Sequence, residues 1–133
     1  MVLIDDGSKR VIHASDIQLL NRKAIEWIIE KNPPDLLITG GPPPTYLGPR
    51  ATGSWETGIK NLNEIIRETN AEVILDHHIV RDKRYPEFFD ELEKRPKTFA
   101  GYLKVEDRPL EAYRRELHKI EKGEGGAEVP FRL

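Results

Sequence analysis

The chain contains no cysteine, so it has neither a disulfide framework nor thiolate metal ligands available to it. No apolar run approaches the roughly 20 residues needed to span a bilayer, and Asp5 and Asp6 interrupt the first apolar stretch, unlike a signal peptide. These absences predict a cytoplasmic chain with no membrane partner. An excess of one charge is also missing. The 21 basic and 23 acidic residues leave a formal net charge of −2, too weak a field to draw in nucleic acid. Methionine occurs once, and 33% of residues are charged, a composition that follows the tendency of heat-stable proteins toward surface ion pairs and few labile side chains.

What is present reads as one α/β domain over residues 1–133. Asp6-Gly7 between residues 2–4 and 11–12, both rich in β-branched types, predicts an opening hairpin. Asn21 is placed to cap a helix carrying Ala24, Ile25, Trp27, Ile28 and Ile29, which must stop near Pro33-Pro34. Residues 35–39 read as a buried strand. From residue 40 to 55 glycine and proline are dense, which predicts a long loop able to wall a site. Ser54 or Thr57 could cap the next helix, whose stripe is Ile59, Leu62, Ile65 and Ile66 and which ends at Asn70. Residues 71–76 form another apolar strand. The fold class is therefore a mixed β-sheet with an opening hairpin and flanking helices. Further on, residues 87–93 and a segment with Phe99, Tyr102 and Leu103 predict short packing helices. Asp107 and Pro109 read as cap and start of a last helix with Leu110, Tyr113, Leu117 and Ile120. Residues 124–126 should be mobile unless Val129, Pro130 and Phe131 dock.

Two segments carry chemistry. His13-Ala14-Ser15-Asp16 closes one apolar run and Asp76-His77-His78 closes another. In open sheets with parallel strands, ligands and metals collect at the carboxyl ends of strands. A carboxylate and an imidazole there suit zinc, manganese or iron. Because neighbours on a strand point to opposite faces, only one of His77 and His78 is expected to ligate a given ion. Each of these residues also has a plainer reading. Asp16 fits a turn or helix cap, and the two histidines fit core groups satisfied by backbone carbonyls. His13 reads as a packing or supporting group and His118 as a solvated residue on a helix face. The stretch 111–122, rich in Glu and Lys, reads as a charged exterior.

The hairpin followed by His13-Ala14-Ser15-Asp16, the strand ending in Thr39-Gly40-Gly41-Pro42, and Asp76-His77-His78 followed by Arg81 resemble the second half of a metallo-β-lactamase-fold hydrolase. More narrowly, they resemble the C-terminal part of an uncharacterised archaeal family of that superfamily, UPF0282. The resemblance covers nearly the whole chain and implies half of an αββα sandwich. It gives Asp16 the role of bridging two metals and His77 or His78 that of the final ligand. His77 is preferred because it shares a strand face with Val73 and Leu75 and has Arg81 at a family spacing. Zinc is the metal implied, with manganese or iron as alternatives. Tyr46, Arg50 and Trp55 on the Gly/Pro loop are candidates for substrate contact. The superfamily's H-x-H-x-D-H motif does not occur in the chain. The resemblance therefore implies a hydrolase whose amino-terminal half lies outside it, with Met1 an internal methionine. The ligand set is incomplete, activity alone is not expected, and the partner is the absent half or a second copy.

Two other classes compete. Asp76-His77-His78 also matches the triplet of DHH-type manganese phosphoesterases, but these need an Asp-x-Asp pair on an earlier strand and the chain offers only adjacent Asp5 and Asp6. The third class is a non-catalytic dimerising domain.

Overall fold

The computed structural model describes residues 1–31 and 33–133. Strands β1 (Val2–Asp5) and β2 (Arg10–Ala14) pair antiparallel, with Val2 opposite His13 and Asp5 opposite Arg10. The reversal uses residues 6–9, more than the Asp-Gly pair itself. Asp6 Oδ1 accepts from the Ser8 amide at 2.9 Å, the Ser8 hydroxyl at 2.8 Å and the Lys9 amide at 2.8 Å. Those bonds hold its carboxyl down at about 2, and Gly7 takes the left-handed backbone the turn requires, φ +86°.

Helix α1 (Arg22–Glu26) starts at Asn21, whose side chain accepts from the Lys23 and Ala24 amides, and runs into a π turn, Trp27–Lys31. Strand β3 (Leu36–Thr39) pairs parallel with β2. A 3₁₀ turn, Thr45–Leu47, leads into α2 (Pro49–Thr69), which ends on left-handed Asn70. Strand β4 (Glu72–Leu75) pairs parallel with β3, completing a four-stranded mixed sheet in the order β1-β2-β3-β4. Short helices α3 (Tyr85–Asp90) and α4 (Phe99–Tyr102) and the longer α5 (Arg114–Glu121) follow.

The sequence reading places two helix starts too late or too early. Helix α2 begins at Pro49, and Ser54 and Thr57 lie inside it. Proline at the first helical position loses no bond and has its φ preset, so residues 49–55 are helical and the Gly/Pro loop is shorter than expected. Helix α5 begins at Arg114, well after Pro109. Asp107 cannot cap it, because its carboxylate accepts from the Thr98 hydroxyl and lies 3.5 Å from that of Tyr85. At the tail, Phe131 is buried and meets Tyr113 edge to face at 5.6 Å.

The core occupies one face of the sheet. Leu3, Ile12, Leu37 and Val73 stand side by side in register, with Ala14, Thr39 and Leu75 in the next row. Against them pack Ile25, Ile28, Leu62, Ile65 and Ile66 from the helices. The crossovers from β2 to β3 and from β3 to β4 step across the sheet in the same direction, so connections of one hand bring both helical segments to the same face. On the other face Val2 and Ile4 are 56% and 58% exposed, and Val11 and Ile38 are half-buried. The expected mixed sheet with flanking helices forms, and an αββα sandwich is not seen among the described residues. A single sheet is covered by helices on one side, and its other side is apolar and partly open. No helix among the described residues is long and apolar enough to cross a membrane.

Candidate metal centre

Three strand ends meet at the carboxyl edge of the parallel sheet. After β2 the chain turns at residues 15–16, closed by the Ile17 amide on the Ala14 carbonyl at 2.9 Å. This puts Asp16 at the tip, with its side chain 92% exposed. After β4 the Asp76 amide extends the ladder by donating to the Thr39 carbonyl at 3.0 Å, and the amides of His78 and Ile79 both donate to the Gly40 carbonyl, at 3.1 and 3.0 Å. Gly40 has to be glycine. A Cβ there would lie 2.0 Å from the Ser15 carbonyl oxygen and 2.7 Å from Cδ2 of His78, so the absence of a side chain lets the three ends close together.

Between these anchors the backbone of His77 is left-handed, φ +70°. This overturns the strand-phase reading of the two histidines. The strand stops at Leu75, the alternation of faces stops with it, and the preference for His77 over His78 loses its basis. The imidazoles stand together instead, with centroids 4.4 Å apart and planes tilted by 52°. His77 Nε2 lies 3.6 Å from Asp16 Oδ1. Asp16, His77 and His78 each offer one ligand-capable atom, all within 4.8 Å of one another. Ligands about 2.0–2.1 Å from a tetrahedral ion sit roughly 3.4 Å apart, so the Asp16–His77 pair is near that spacing and the widest pair must draw in. The donor set, two imidazoles and a carboxylate, fits zinc or ferrous iron.

Electrostatics favour the ligating form of His78. It is half-buried, and loss of water, followed by the nearby His77 and Arg81, lowers its pKa from the usual 6.5, against a smaller opposing pull from Asp16. Near neutral pH its ring is uncharged and keeps a lone pair for a cation.

Other residues singled out from the sequence lie elsewhere. Tyr46 is 68% exposed on the 3₁₀ turn, and Arg50 is exposed in the first turn of α2. Trp55 is buried, stacks edge to face on Phe88 at 5.3 Å and donates its indole N–H to the Pro43 carbonyl at 3.0 Å. It thereby ties the loop to the core cluster. His13 is exposed on the open face of the sheet, in register with Val2 and Ile38. His118 is exposed on α5, 3.5 Å from Glu121.

Two further carboxylates matter: Asp82, which the sequence reading did not single out, and Asp76, which it read as part of the triplet with His77 and His78. Buried Asp82 accepts from the Thr45 amide at 2.6 Å, from the Thr45 hydroxyl, and from the Arg84 amide at 2.9 Å. It thereby ties the Gly/Pro loop to the 3₁₀ turn Ile79–Arg81 that follows the histidines. In a stretch as charged as 81–84 nothing in the residue types marks it out. Asp76 accepts from the His77 amide at 2.7 Å and the Phe99 amide at 2.9 Å, and does not join the cluster.

No protein-family model and no solved structure matches the chain. Curated sequences do. It is 93% identical over all 133 residues to a UPF0282 protein of Thermococcus kodakarensis, of which it spans 44%. It is 65% identical over 130 residues to one of Pyrococcus horikoshii, spanning 41% of that protein. Against one of Methanopyrus kandleri it is 39% identical over 112 residues, covering 80% of this chain and 38% of the relative. The chain spans less than half the length of these relatives, and over that span it belongs to the archaeal UPF0282 family.

Proposed function

We propose that this chain supplies part of the metal centre of a metal-dependent hydrolase of metallo-β-lactamase type. Asp16, His77 and His78 are its ligands, and the rest of the ligand set lies on the portion of the UPF0282 sequence outside this chain. The observation that carries the reading is the convergence of two imidazoles and one carboxylate, drawn from two strand ends, within 4.8 Å. A second feature supports it. The open apolar face with Val2, Ile4, Val11 and Ile38 is the kind of surface a soluble domain covers, and the relatives are more than twice as long as this chain.

A divalent cation held here supplies a hydroxide-like water near neutral pH and positive charge toward a developing oxyanion. The chain's own groups act around it. Asp16, exposed at the tip of its turn, has two carboxylate oxygens with which it would hold one cation or bridge two. His78 enters the centre neutral, for the reasons of burial and neighbouring charge given above. Gly40 and the Asp82–Thr45 link keep the strand ends and the adjacent loop in place. Zinc is the favoured metal, with manganese or iron as alternatives, and the substrate class is an ester, lactone or phosphoester. The DHH-type reading is weaker, because it needs Asp76 as a ligand and that carboxylate is engaged by two backbone amides.

The test is metal analysis and esterase and phosphodiesterase assay of a full-length UPF0282 relative, beside this chain alone. The full-length protein should retain zinc, manganese or iron and lose both metal and activity on replacement of Asp16, His77 or His78. This chain alone should bind more weakly and not turn over. Metal content unaffected by these substitutions would end the proposal. A metal-free, inactive full-length protein would instead favour a non-catalytic domain.

A further inference from the structure

His77 carries a backbone conformation uncommon for a residue other than glycine, φ +70°. Such a residue persists only where its surroundings hold it. On its C-terminal side the hold is the Gly40 carbonyl, which takes the His78 and Ile79 amides. On its N-terminal side the Asp76 amide is held by the Thr39 carbonyl at 3.0 Å, and the Asp76 side chain adds two further bonds. Asp76 Oδ1 accepts from the His77 amide at 2.7 Å and Asp76 Oδ2 from the Phe99 amide at 2.9 Å. The second bond fastens the turn to the start of α4, which is already tethered to β4 by the Lys97 amide on the Val73 carbonyl at 3.0 Å and the Leu75 amide on the Lys97 carbonyl at 2.8 Å.

The chemistry of this position calls for a carboxylate. Both of its oxygens face N–H donors, so both must accept. Asparagine offers one acceptor and would turn its own N–H₂ toward the other donor. The left-handed step is also what brings the two rings to one side, because a chain left extended through residues 76–78 would send successive side chains to opposite faces. Only one imidazole would then remain beside Asp16.

We infer that Asp76 is the positioning residue of this centre: by spanning the His77 and Phe99 amides it holds His77 left-handed, so that the His77 ring stands beside His78 and faces Asp16. The inference rests on the reading of Asp16, His77 and His78 as a metal site, and goes beyond it by assigning the residue that builds the ligand geometry without touching the ion.

The experiment pairs a zinc titration of the full chain by calorimetry with NMR measurement of the His77 backbone, through its three-bond amide–Hα coupling and Cα shift. The proteins compared are the native chain, Asp76→Asn, Asp76→Ala and Asp16→Ala. Asp76→Asn keeps the side-chain volume and guards against a failure of Asp76→Ala to fold. In Asp76→Asn the zinc affinity should fall about ten- to a hundredfold, the usual loss when a group supporting a metal ligand is removed, and the left-handed signature of His77 should disappear. Asp16→Ala should lose affinity with the His77 signature intact, which separates positioning from ligation. Native affinity in Asp76→Asn, or a His77 that stays left-handed there, would overturn the inference. Absence of zinc binding by the native chain would count against the metal reading, and the backbone measurement would still decide the role of Asp76.

Discussion

His77 Nε2 lies 3.6 Å from Asp16 Oδ1, although the two residues belong to loops after different strands, β4 and β2, that are not neighbours in the sheet. β3 lies between them, and it ends in Gly40, where no side chain stands in the way. The contact is therefore a property of three strand ends at once.

Replacing Gly40 should break this arrangement. In Gly40→Ala the new methyl would sit 2.0 Å from a backbone oxygen, which cannot swing aside as a flexible side chain would. The turn at 15–16 must move, at a cost of about 1–3 kcal/mol. Urea unfolding should show the lower midpoint, and zinc titration should show a loss of affinity that stability alone does not explain. A fully native variant would mean that the strand ends have more slack than the distances allow.

Asp16→Asn should behave in the opposite way. Its side chain is 92% exposed and among the described residues no hydrogen bond depends on it, so the change in stability should stay within about 0.5 kcal/mol. Zinc binding should fall sharply in the same protein. A large drop in melting temperature would identify Asp16 as a structural cap.

His78 should titrate below its ordinary pKa of 6.5, because burial and then the charges of His77 and Arg81 disfavour its protonated form. The unfolded chain then binds this proton more readily than the native one. Stability from this group is fully present above about 6.5 and declines as pH falls from there through the lower folded value. An NMR titration of the imidazole Cε1 proton checks it, and a midpoint at or above 6.5 contradicts it.

Asp82→Ala should loosen the loop beside the centre. It strips the Thr45 and Arg84 amides of their acceptor, costing about 1–3 kcal/mol, and frees residues 42–47 from the turn after the histidines. Limited proteolysis should then cut at the loop faster than in the native chain. Unchanged protection would assign the loop's order to Trp55 and its bond to Pro43.

On the open sheet face, Ile4→Lys should leave folding intact, since Ile4 is 58% exposed. It should reduce self-association of the isolated chain, measured by sedimentation equilibrium. Equal association of both proteins would show that this face does not mediate it.

Much of the frame was legible in the sequence, and each part had a local cause. Asn21 and Asn70 mark helix ends because their side chains or backbones satisfy groups a helix leaves unpaired. The apolar runs before Asp16 and Asp76 mark the parallel strands. The start of α2 was obscured because glycine and proline density outweighs the preference of Pro49 for a first helical turn. The start of α5 was misplaced because Asp107 is taken by the hydroxyl of Thr98, nine residues before it. Within the site, Asp16 and the histidines stand out by residue type, but the side on which His77 and His78 lie depends on the sign of one φ angle. That sign is set by Asp76 and Gly40 through contacts with Phe99 and the β3 end, and strand alternation alone leads to the opposite answer.

The most direct measurement is anomalous diffraction at the zinc edge from crystals of a full-length UPF0282 protein grown with zinc. A peak about 2.0–2.2 Å from an oxygen of Asp16 and a nitrogen of each of His77 and His78 is the predicted result. A zinc-free centre with these three side chains turned apart, or zinc held by other residues, would contradict the account.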